Sequence, residues 1–254
     1  MPSVQTAEFT ITLELLRYDP DKDQAPSFKS YKIPYVHDWV VLDAINYIKD
    51  EIDGTISHRW SCRMGVCGSC GMMVNGVPKL ACSAFLRDYY PSPIRVEPLT
   101  HFPVERDLIV QMDGFMSKLQ SVKPYLIRKD PPAPLEKGEF LQTPVQRARY
   151  AQFSMCINCM LCYAACPVVG MEEEFVGPAA LALAHRYNMD SRDQGQDDRA
   201  DVVASEHGVW SCTFVGECSE VCPKHVDPAG AIQQAKVEAT KDWWKRALMP
   251  WTRK

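Results

Sequence analysis

The chain has 254 residues, of which 46% are hydrophobic and 24% charged, and its formal net charge is −4. This length suffices for about two domains with a buried core, and the mildly acidic balance argues against a nucleic-acid-binding protein, which would carry a basic patch. No apolar run is long enough to cross a bilayer, and Met1 to Leu16 lack the basic and apolar regions of a signal peptide.

The N-terminal part of the chain predicts a small α+β domain. Asp38 is placed to cap a helix whose inner face carries Val41, Leu42 and Ile45. Asn75-Gly76 suits the type I′ turn of a hairpin, because that turn needs positive φ at both central residues. Strands are predicted from alternating or flanking apolar residues at 9–15, 28–36, 72–74, 77–80 and 94–97.

The first cysteine group lies inside this domain. Its members are Cys62, Cys67, Cys70 and, across the hairpin, Cys82. The C-x4-C-x2-C spacing with a distant fourth cysteine is that of plant-type [2Fe–2S] centres. Gly65, Gly68 and Gly71 are predicted to permit the positive φ values that a loop needs to wrap around a small cluster. The alternative is a zinc site, but zinc is usually held by paired C-x2-C knuckles, which this spacing lacks.

The rest of the chain predicts a connector followed by helices. A helix is predicted at 107–119, and an extended connector rich in charge and proline follows it. Thr143-Pro144 with Gln146 has the order of a capped helix start, and Gly177-Pro178 and Asp227-Pro228 open two further helices. The predicted domains are 1–105 for the [2Fe–2S] domain, 106–142 for the helix and connector, and 143–254 for a helical domain.

A second cysteine group lies in the helical part, with the spacing Cys156-x2-Cys159-x2-Cys162-x3-Cys166-Pro167. This is the run of bacterial ferredoxins. Two-residue gaps let three successive thiolates turn onto one cubane cluster. The fourth cysteine serves the other cluster of a pair.

A third group, Cys212-x5-Cys218-x3-Cys222-Pro223, repeats this pattern with Val215 at the position of the second cysteine. An apolar side chain replaces one ligand, and a cubane cluster can lose the iron atom that no cysteine binds. The simplest prediction is therefore a [3Fe–4S] cluster. The alternative is a [4Fe–4S] cluster with water or a non-cysteine ligand at that iron atom.

The first group uses four cysteines, and exchanging the fourth ligands between the second and third runs assigns the remaining seven, so all eleven have a place. The odd count and the lack of an export signal favour free thiols in a reducing compartment over disulfides. The predicted ligand sets are Cys62, Cys67, Cys70 and Cys82 for [2Fe–2S]; Cys156, Cys159, Cys162 and Cys222 for [4Fe–4S]; and Cys166, Cys212 and Cys218 for [3Fe–4S].

Three clusters in one chain predict a relay for single electrons between two different partners. The chain contains neither the G-x-G-x-x-G nor the P-loop fingerprint of nucleotide-binding proteins. The subunit that binds flavin or substrate is therefore predicted to be another chain.

These motifs together resemble the iron–sulfur subunit of fumarate reductase and succinate dehydrogenase, over nearly the whole chain. The stretches that carry the resemblance are RWSCRM at 59–64, CGSCGMM at 67–73, PKLAC at 78–82 and CSEVCPKHVDP at 218–228. The resemblance implies a β-grasp, plant-type ferredoxin domain followed by an all-helical, bacterial-ferredoxin-like domain. It implies the same cluster ligands as the spacing does.

The resemblance also implies partners and a location. In that family electrons pass between FAD in a flavoprotein subunit, which acts on fumarate or succinate, and a quinone at membrane-anchor subunits. The [2Fe–2S] cluster faces the flavin, and the [3Fe–4S] cluster faces the quinone. The chain is then expected to be a peripheral subunit on the cytoplasmic face of the plasma membrane, held by the anchors.

The stretch after Cys166-Pro167 indicates the branch of the family. Ubiquinone-linked succinate dehydrogenases commonly carry a tryptophan pair there, and this chain has none before Glu172. The sequence therefore looks closer to the menaquinol:fumarate reductases. In that branch, residues matching Thr213, Phe214, Gln233 and Lys236 lie by the quinone; the alternative for these four is ordinary helix and loop surface.

Two other functions compete with this hypothesis. The chain could be the relay subunit of another flavoenzyme complex, such as a heterodisulfide-reductase-like one, although those usually lack the [2Fe–2S] domain. From a different class, it could be a zinc-stabilised interaction protein, which would contain neither iron nor acid-labile sulfide.

Overall fold

A computed structural model gives the fold and describes residues 9–130, 136 and 138–248. The chain divides into two compact units. The first contains Met1–Met112 and also Ile157–Ala165, which we call the returning segment; the second contains Asp113–Cys156 and Cys166–Lys254. The predicted domain boundaries at 105 and 142 remain a prediction. Connector residues Pro131, Pro132 and Pro134 lie outside the described part.

All seven described strands belong to the first unit. They are β1 Thr10–Arg17, β2 Ser27–Pro34, β3 Gly71–Val74, β4 Val77–Leu80, β5 Ile94–Glu97, β6 Val104–Arg106 and β7 Ile109–Val110. The α-helices are α1 Val41–Tyr47, α2 Asp113–Ser121, α3 Pro144–Ala148, α4 Leu161–Ala164, α5 Pro167–Met171, α6 Pro178–Asn188, α7 Gln196–Val203, α8 Glu217–Glu220 and α9 Pro228–Leu248. Of these, α1 and α4 lie in the first unit. No helix of the described residues is long and apolar enough to cross a membrane.

The first unit is built on a mixed five-stranded sheet with the order β2-β1-β5-β3-β4. Strand β1 pairs antiparallel with β2 and parallel with β5. Strand β3 pairs antiparallel with both β4 and β5. The sheet faces its core with alternate residues of β1, since Ile11, Leu13 and Leu15 are buried, as a period of two requires. The five predicted strands and the α+β class are confirmed.

The β3–β4 hairpin turns at Asn75 and Gly76, whose φ values are 50° and 78°. Both central residues therefore take the left-handed conformation that the type I′ prediction requires. The side chain of Asn75 also accepts a hydrogen bond from the Arg95 N–H at 2.7 Å. That bond ties the turn to the neighbouring strand β5.

Two predictions about helix starts were wrong. Helix α1 begins after Val40, whose N–H donates to the Asp43 carboxylate at 3.1 Å, whereas Asp38 pairs with Arg87 at 3.4 Å. The helix predicted at 107–119 begins only at Asp113, because Asp107 forms a turn instead. The buried Asp107 carboxylate accepts from the Arg17 guanidinium at 2.9 Å and from the Ser57 N–H at 2.8 Å, and these partners hold it away from a helix.

The second unit is helical over its described residues. Helix α3 starts as predicted, because the Thr143 hydroxyl accepts from the Gln146 N–H at 3.2 Å and the Gln146 side chain accepts from the Thr143 N–H at 2.8 Å. Helix α6 packs against the long helix α9. The predicted helix starts at Pro178 and Pro228 are both confirmed.

A buried ion pair ties the start of the connector to the loop before α7. The Arg199 side chain is 0% exposed and forms two hydrogen bonds with Asp193, at 2.7 and 2.9 Å. It also donates to the carbonyls of Lys123 at 3.1 Å and Tyr125 at 2.7 Å. The guanidinium thereby satisfies backbone acceptors of a segment that has no regular structure.

Replacing Arg199 with Met is expected to lower the thermal midpoint of the cluster-loaded protein clearly. Removing one partner of a buried pair leaves an uncompensated charge, at a cost of about 3–5 kcal/mol. The control is Arg128→Met, since Arg128 pairs with Asp130 at 2.9 Å at the surface and such pairs contribute about 0–1 kcal/mol. Equal midpoints for the two variants, measured by circular dichroism, would contradict this role of Arg199.

Candidate metal centres

The loop from Cys62 to Cys70 surrounds two of its sulfur atoms with backbone N–H groups. The Cys62 sulfur accepts from the N–H groups of Met64 and Val66, each at 3.4 Å, and of Cys67 at 3.3 Å. The Cys67 sulfur accepts from the N–H groups of Cys62 at 3.4 Å and Ser69 at 3.5 Å. Such donors favour the negatively charged thiolate, which is the form that binds metal.

The cysteines of this group differ in electrostatic environment. The N–H groups of Met64, Val66 and Cys67 lower the pKa of Cys62 to about 6. Burial raises the pKa of the Cys70 thiol to about 12, and nearby Cys82 and Cys67 add to the rise through their negative charge. Bringing these thiolates together therefore costs free energy that a positively charged iron–sulfide core would offset.

The hairpin brings Cys70 and Cys82 together. Cys70 precedes β3 and Cys82 follows β4, and the register pairs Gly71 with Leu80. Just beyond this pair, the Ala81 N–H donates to the Cys70 carbonyl at 2.9 Å. The start of α1 holds the same stretch, since the N–H of Leu42 donates to the Ala81 carbonyl at 3.0 Å. The second of these contacts uses a helix N–H, that of Leu42, which has no partner within its own helix.

The glycine prediction for this loop was correct at two positions and wrong at the third. Gly65 and Gly68 have φ values of 66° and 76°, while Gly71 is not in the left-handed region. Arg63 takes the third left-handed position of the loop, with φ 57°. Gly71 is small for a different reason, because an added Cβ would lie 3.0 Å from the carbonyl oxygen of Cys159.

The second and third cysteine runs share one backbone pattern. Each begins with a short 3-10 helix, Phe153–Met155 or Val209–Ser211, directly before its first cysteine. Asn158 and Phe214, two residues after those cysteines, have φ values of 53° and 61°. Met160 and Gly216 follow with φ values of 66° and 93°, and a short helix, α4 or α8, comes next. In this alignment of the two runs, Val215 falls at the place of Cys159.

Three cysteines line one cavity in the second unit. They are Cys166, Cys212 and Cys218, and the loop Thr213–Gly216 forms part of the same wall. Cys166 precedes α5, Cys218 lies in α8, and Cys212 precedes the loop. These are the three thiols predicted to hold a cluster without a fourth cysteine, and Val215 also lines this cavity.

Burial and neighbouring charge raise the pKa of two of these three thiols, Cys166 and Cys218. Burial raises the pKa of Cys166, while the N–H groups of Val169 and Val168 lower it and the charge of Cys212 raises it further. Burial, followed by the charge of Cys166, raises the pKa of Cys218 to about 12. The raised pKa values of Cys166 and Cys218 suit a cluster, whose iron ions compensate the thiolate charge.

The structure brings the four predicted quinone-site residues to this same cavity or its wall. Thr213 and Phe214 line it. Lys236 of α9 donates to the Cys212 carbonyl at 2.7 Å, and the Gln233 side-chain amide lies 4.0 Å from the Cys212 sulfur. Both α9 residues therefore contact the backbone or sulfur of a predicted ligand.

Comparisons with known proteins agree with two separate cluster domains. A family model described as a 2Fe-2S iron-sulfur cluster binding domain matches residues 12–117. A second, described as a 4Fe-4S dicluster domain, matches residues 152–226. The two matches cover the two parts of the chain in which the cysteine groups lie.

Relatives match the chain over almost its full length. The fumarate reductase iron-sulfur subunit of Mycobacterium tuberculosis is 58% identical over 241 residues, which are 95% of this chain and 97% of the relative. The chain belongs to the iron–sulfur subunit family of fumarate reductase and succinate dehydrogenase. Its members are electron-transfer subunits of an oxidoreductase complex, so the predicted family and relay role are confirmed.

Further comparisons place this iron–sulfur subunit within the family. The Escherichia coli fumarate reductase iron-sulfur subunit is 56% identical over 94% of this chain and 97% of its own. The Coxiella burnetii succinate dehydrogenase iron-sulfur subunit is only 35% identical, over 91% of this chain and 98% of its own. A chain of the Mycobacterium smegmatis Sdh1 complex in the apo form superposes with a TM-score of 0.82 at 28% identity. The superposition covers 93% of this chain and 98% of that one. The subunit is thus closer to these fumarate reductases.

The cysteines predicted for the [4Fe–4S] cluster come from both units, and this ligand set stays a prediction. In the second unit, Cys156 and Cys222 pack against one buried apolar cluster that includes Phe153 and Val226. Cys159 and Cys162 lie in the returning segment of the first unit. Among the described residues no group of three or more His, Cys, Asp or Glu is arranged around a single metal ion. A [4Fe–4S] cluster makes a different demand, because each thiolate binds its own iron atom.

Sequence reasoning missed which backbone N–H groups of the iron–sulfur subunit serve as donors to the sulfurs. The N–H groups of Met64, Val66 and Ser69 point at predicted ligand sulfurs. No side-chain pattern announces them, because any residue except proline supplies the same N–H group. The packing of Gly71 against Cys159 was missed too, since these residues are far apart in sequence.

Alkylation of the metal-free iron–sulfur subunit should distinguish Cys62 from Cys70. With a pKa of about 6, Cys62 is mostly thiolate at neutral pH, and its labelling should fall about tenfold from pH 7 to pH 5. Buried Cys70, with a pKa of about 12, should stay unlabelled in both conditions. Peptide mapping by mass spectrometry gives the result, and urea-unfolded protein is the control. Equal labelling in a sample with native circular dichroism would contradict the assignment.

Proposed function

We propose that this subunit relays single electrons between a flavoprotein subunit and a membrane quinone, through one [2Fe–2S], one [4Fe–4S] and one [3Fe–4S] cluster. The flavoprotein carries FAD and acts on fumarate or succinate, and the quinone is of the menaquinone type. The subunit is peripheral at the cytoplasmic face of the membrane, held there by anchor subunits. The names of the relatives support the complex, and the cysteine chemistry supports the relay.

The observation that carries the proposal is the cavity lined by Cys166, Cys212 and Cys218. It offers three thiols, and Val215 stands at the position that Cys159 occupies in the second cysteine run. Three thiolates with one apolar corner match a [3Fe–4S] cluster, whereas a [4Fe–4S] cluster would have to find a ligand other than cysteine. The proposed ligands of the other clusters are Cys62, Cys67, Cys70 and Cys82, and Cys156, Cys159, Cys162 and Cys222.

The cavity also supports a quinone as the partner on this side. Phe214 and Val215 are 58% and 57% exposed, so the rim presents apolar surface to a flat apolar ring. The Lys236 ammonium has three donors and gives one of them to the Cys212 carbonyl. A quinone oxygen at the rim could accept another, and Gln233 and Thr213 supply further polar groups beside it.

The residues at each predicted site shape the electron carrier that they hold. When bound, iron–sulfur clusters accept and release one electron at a time, at potentials set by cluster type, hydrogen bonds to sulfur and exposure. The N–H donors at the Cys62 and Cys67 sulfurs stabilise added negative charge. The positive charge of Lys236 beside Cys212 favours the reduced state there in the same way.

Low-temperature EPR of the intact complex, purified without oxygen, tests the proposal. The oxidised complex should give a [3Fe–4S] signal, and reduction should bring up a [2Fe–2S] signal. Iron and acid-labile sulfide should be present together. A zinc-stabilised protein would contain neither and give no signal, and a flavoenzyme relay of the heterodisulfide-reductase type would lack the [2Fe–2S] signal. Either result would refute the three-cluster relay.

Replacing Val215 with Cys should convert the three-thiol cluster into a [4Fe–4S] cluster. The new thiolate would stand at the place that Cys159 occupies in the parallel run, and it would hold the fourth iron. The expected result is loss of the oxidised [3Fe–4S] EPR signal with a gain in iron content.

Val215→Ser is the matched control for this change. The hydroxyl has nearly the size of the thiol but is a poor cluster ligand, so the [3Fe–4S] signal should persist. If Val215→Cys also left the signal unchanged at full cluster content, the alignment of the two cysteine runs would be wrong.

A further inference from the structure

The returning segment brings a predicted [4Fe–4S] ligand into the unit that holds the [2Fe–2S] loop. Ile157–Ala165 packs within the first unit, and Met160 and Leu161 are buried. The Thr100 hydroxyl donates to the Ala164 carbonyl at 2.7 Å, which ties the end of the segment down. Cys159, itself buried, is therefore held in the same packed body as Cys67 and Cys70.

Among the glycines of the [2Fe–2S] loop, Gly68 comes nearest to the returning segment. A Cβ added to Gly68 would lie 3.0 Å from both the Cα and the Cβ of Cys159, and 2.9 Å from the Ile157 carbonyl oxygen. Real Cβ atoms essentially never come as close as the 2.9 Å to the Ile157 oxygen, and the two 3.0 Å distances to Cys159 are tighter than nine in ten real Cβ contacts. Gly68 follows Cys67 directly and contacts Cys159. A neighbour in sequence of a predicted [2Fe–2S] ligand thus packs against a predicted [4Fe–4S] ligand.

Gly71 makes a second contact of the same kind. A Cβ there would lie 3.0 Å from the Cys159 carbonyl oxygen and 3.2 Å from a methyl carbon of Leu161. Gly71 follows Cys70, another predicted [2Fe–2S] ligand. Two glycines, each next to a cysteine of the first cluster, thus leave room for the residue that would hold the second cluster.

We propose that Gly68 and Gly71 are positioning residues for electron transfer between the first two clusters, because their missing side chains set the distance from the [2Fe–2S] loop to Cys159. This proposal rests on the ligand sets of the proposed function. Tunnelling of one electron between clusters slows steeply with distance, and no bond forms or breaks in the step. A side chain at either glycine would widen the gap, since packed interiors transmit strain instead of absorbing it.

Gly65 provides a matched control. Gly65 and Gly68 lie in the same loop with similar φ values, 66° and 76°, so alanine meets the same backbone strain at both. Only their surroundings differ, because a Cβ at Gly65 would have no neighbour within 4 Å. A difference between Gly65→Ala and Gly68→Ala therefore reports on the contact with Cys159 and not on the strain.

The test measures magnetic coupling in the intact complex, reduced so that both clusters are paramagnetic. A nearby second spin speeds the relaxation of the [2Fe–2S] signal, and this effect falls steeply with distance. In Gly68→Ala the signal should saturate at several-fold lower microwave power than in the wild type, while Gly65→Ala should match the wild type. Flash reduction should show slower transfer between the clusters in Gly68→Ala than in the wild type or in Gly65→Ala.

Two outcomes would overturn the proposal. One is unchanged saturation in Gly68→Ala at full iron and sulfide content, and the other is an equal change in Gly65→Ala. If Gly68→Ala does not load its clusters, Gly71→Ala decides the matter, since its φ is ordinary; unchanged saturation there also refutes the proposal. Absence of the two clusters from the wild-type complex would instead refute the proposed function itself.

Discussion

The repulsion between converging thiolates is the constraint on which the rest of this structure depends. Cys166, Cys212 and Cys218 line one cavity, and the charges of Cys166 and Cys212 make the ionisation of buried Cys218 harder. The same conflict exists between Cys70 and Cys82 at the end of the β3–β4 hairpin. The fold can hold such groups as thiolates at neutral pH only if backbone N–H donors and a positively charged iron–sulfide core offset the repulsion. The N–H groups around Cys62 are the clearest example.

The division of the chain into units has a functional consequence. The second cysteine run does not stay within the helical unit, because its middle portion, the returning segment, packs with the sheet domain. Glycines next to Cys67 and Cys70 leave room for Cys159. The proposed relay benefits from this arrangement, since the distance from the [2Fe–2S] loop to Cys159 is then set by packing inside one body. Other rigid anchors, such as the Arg199–Asp193 pair, keep irregular segments in place.

Much of the fold followed from local patterns. The alternation in β1, the Asn75-Gly76 turn and the Thr143 capping box all rest on interactions within a few residues, and all are present. The failures share a different cause. Asp107 became a turn because Arg17 and Ser57, both distant in sequence, bind its carboxylate. Gly71 is small because of Cys159, a contact that no local pattern encodes.

The sequence alone determined the number of thiols, their grouping and the family, because ligand chemistry depends on residue type and spacing. The roles of the cysteine runs and of Val215 could therefore be predicted without a structure. Only the tertiary structure decided which backbone N–H groups face the sulfurs, and that Cys159 lies against Gly68. Backbone groups are the same in almost every residue, and contacts across the fold arise only when distant segments pack. Neither feature can therefore be read from the sequence alone.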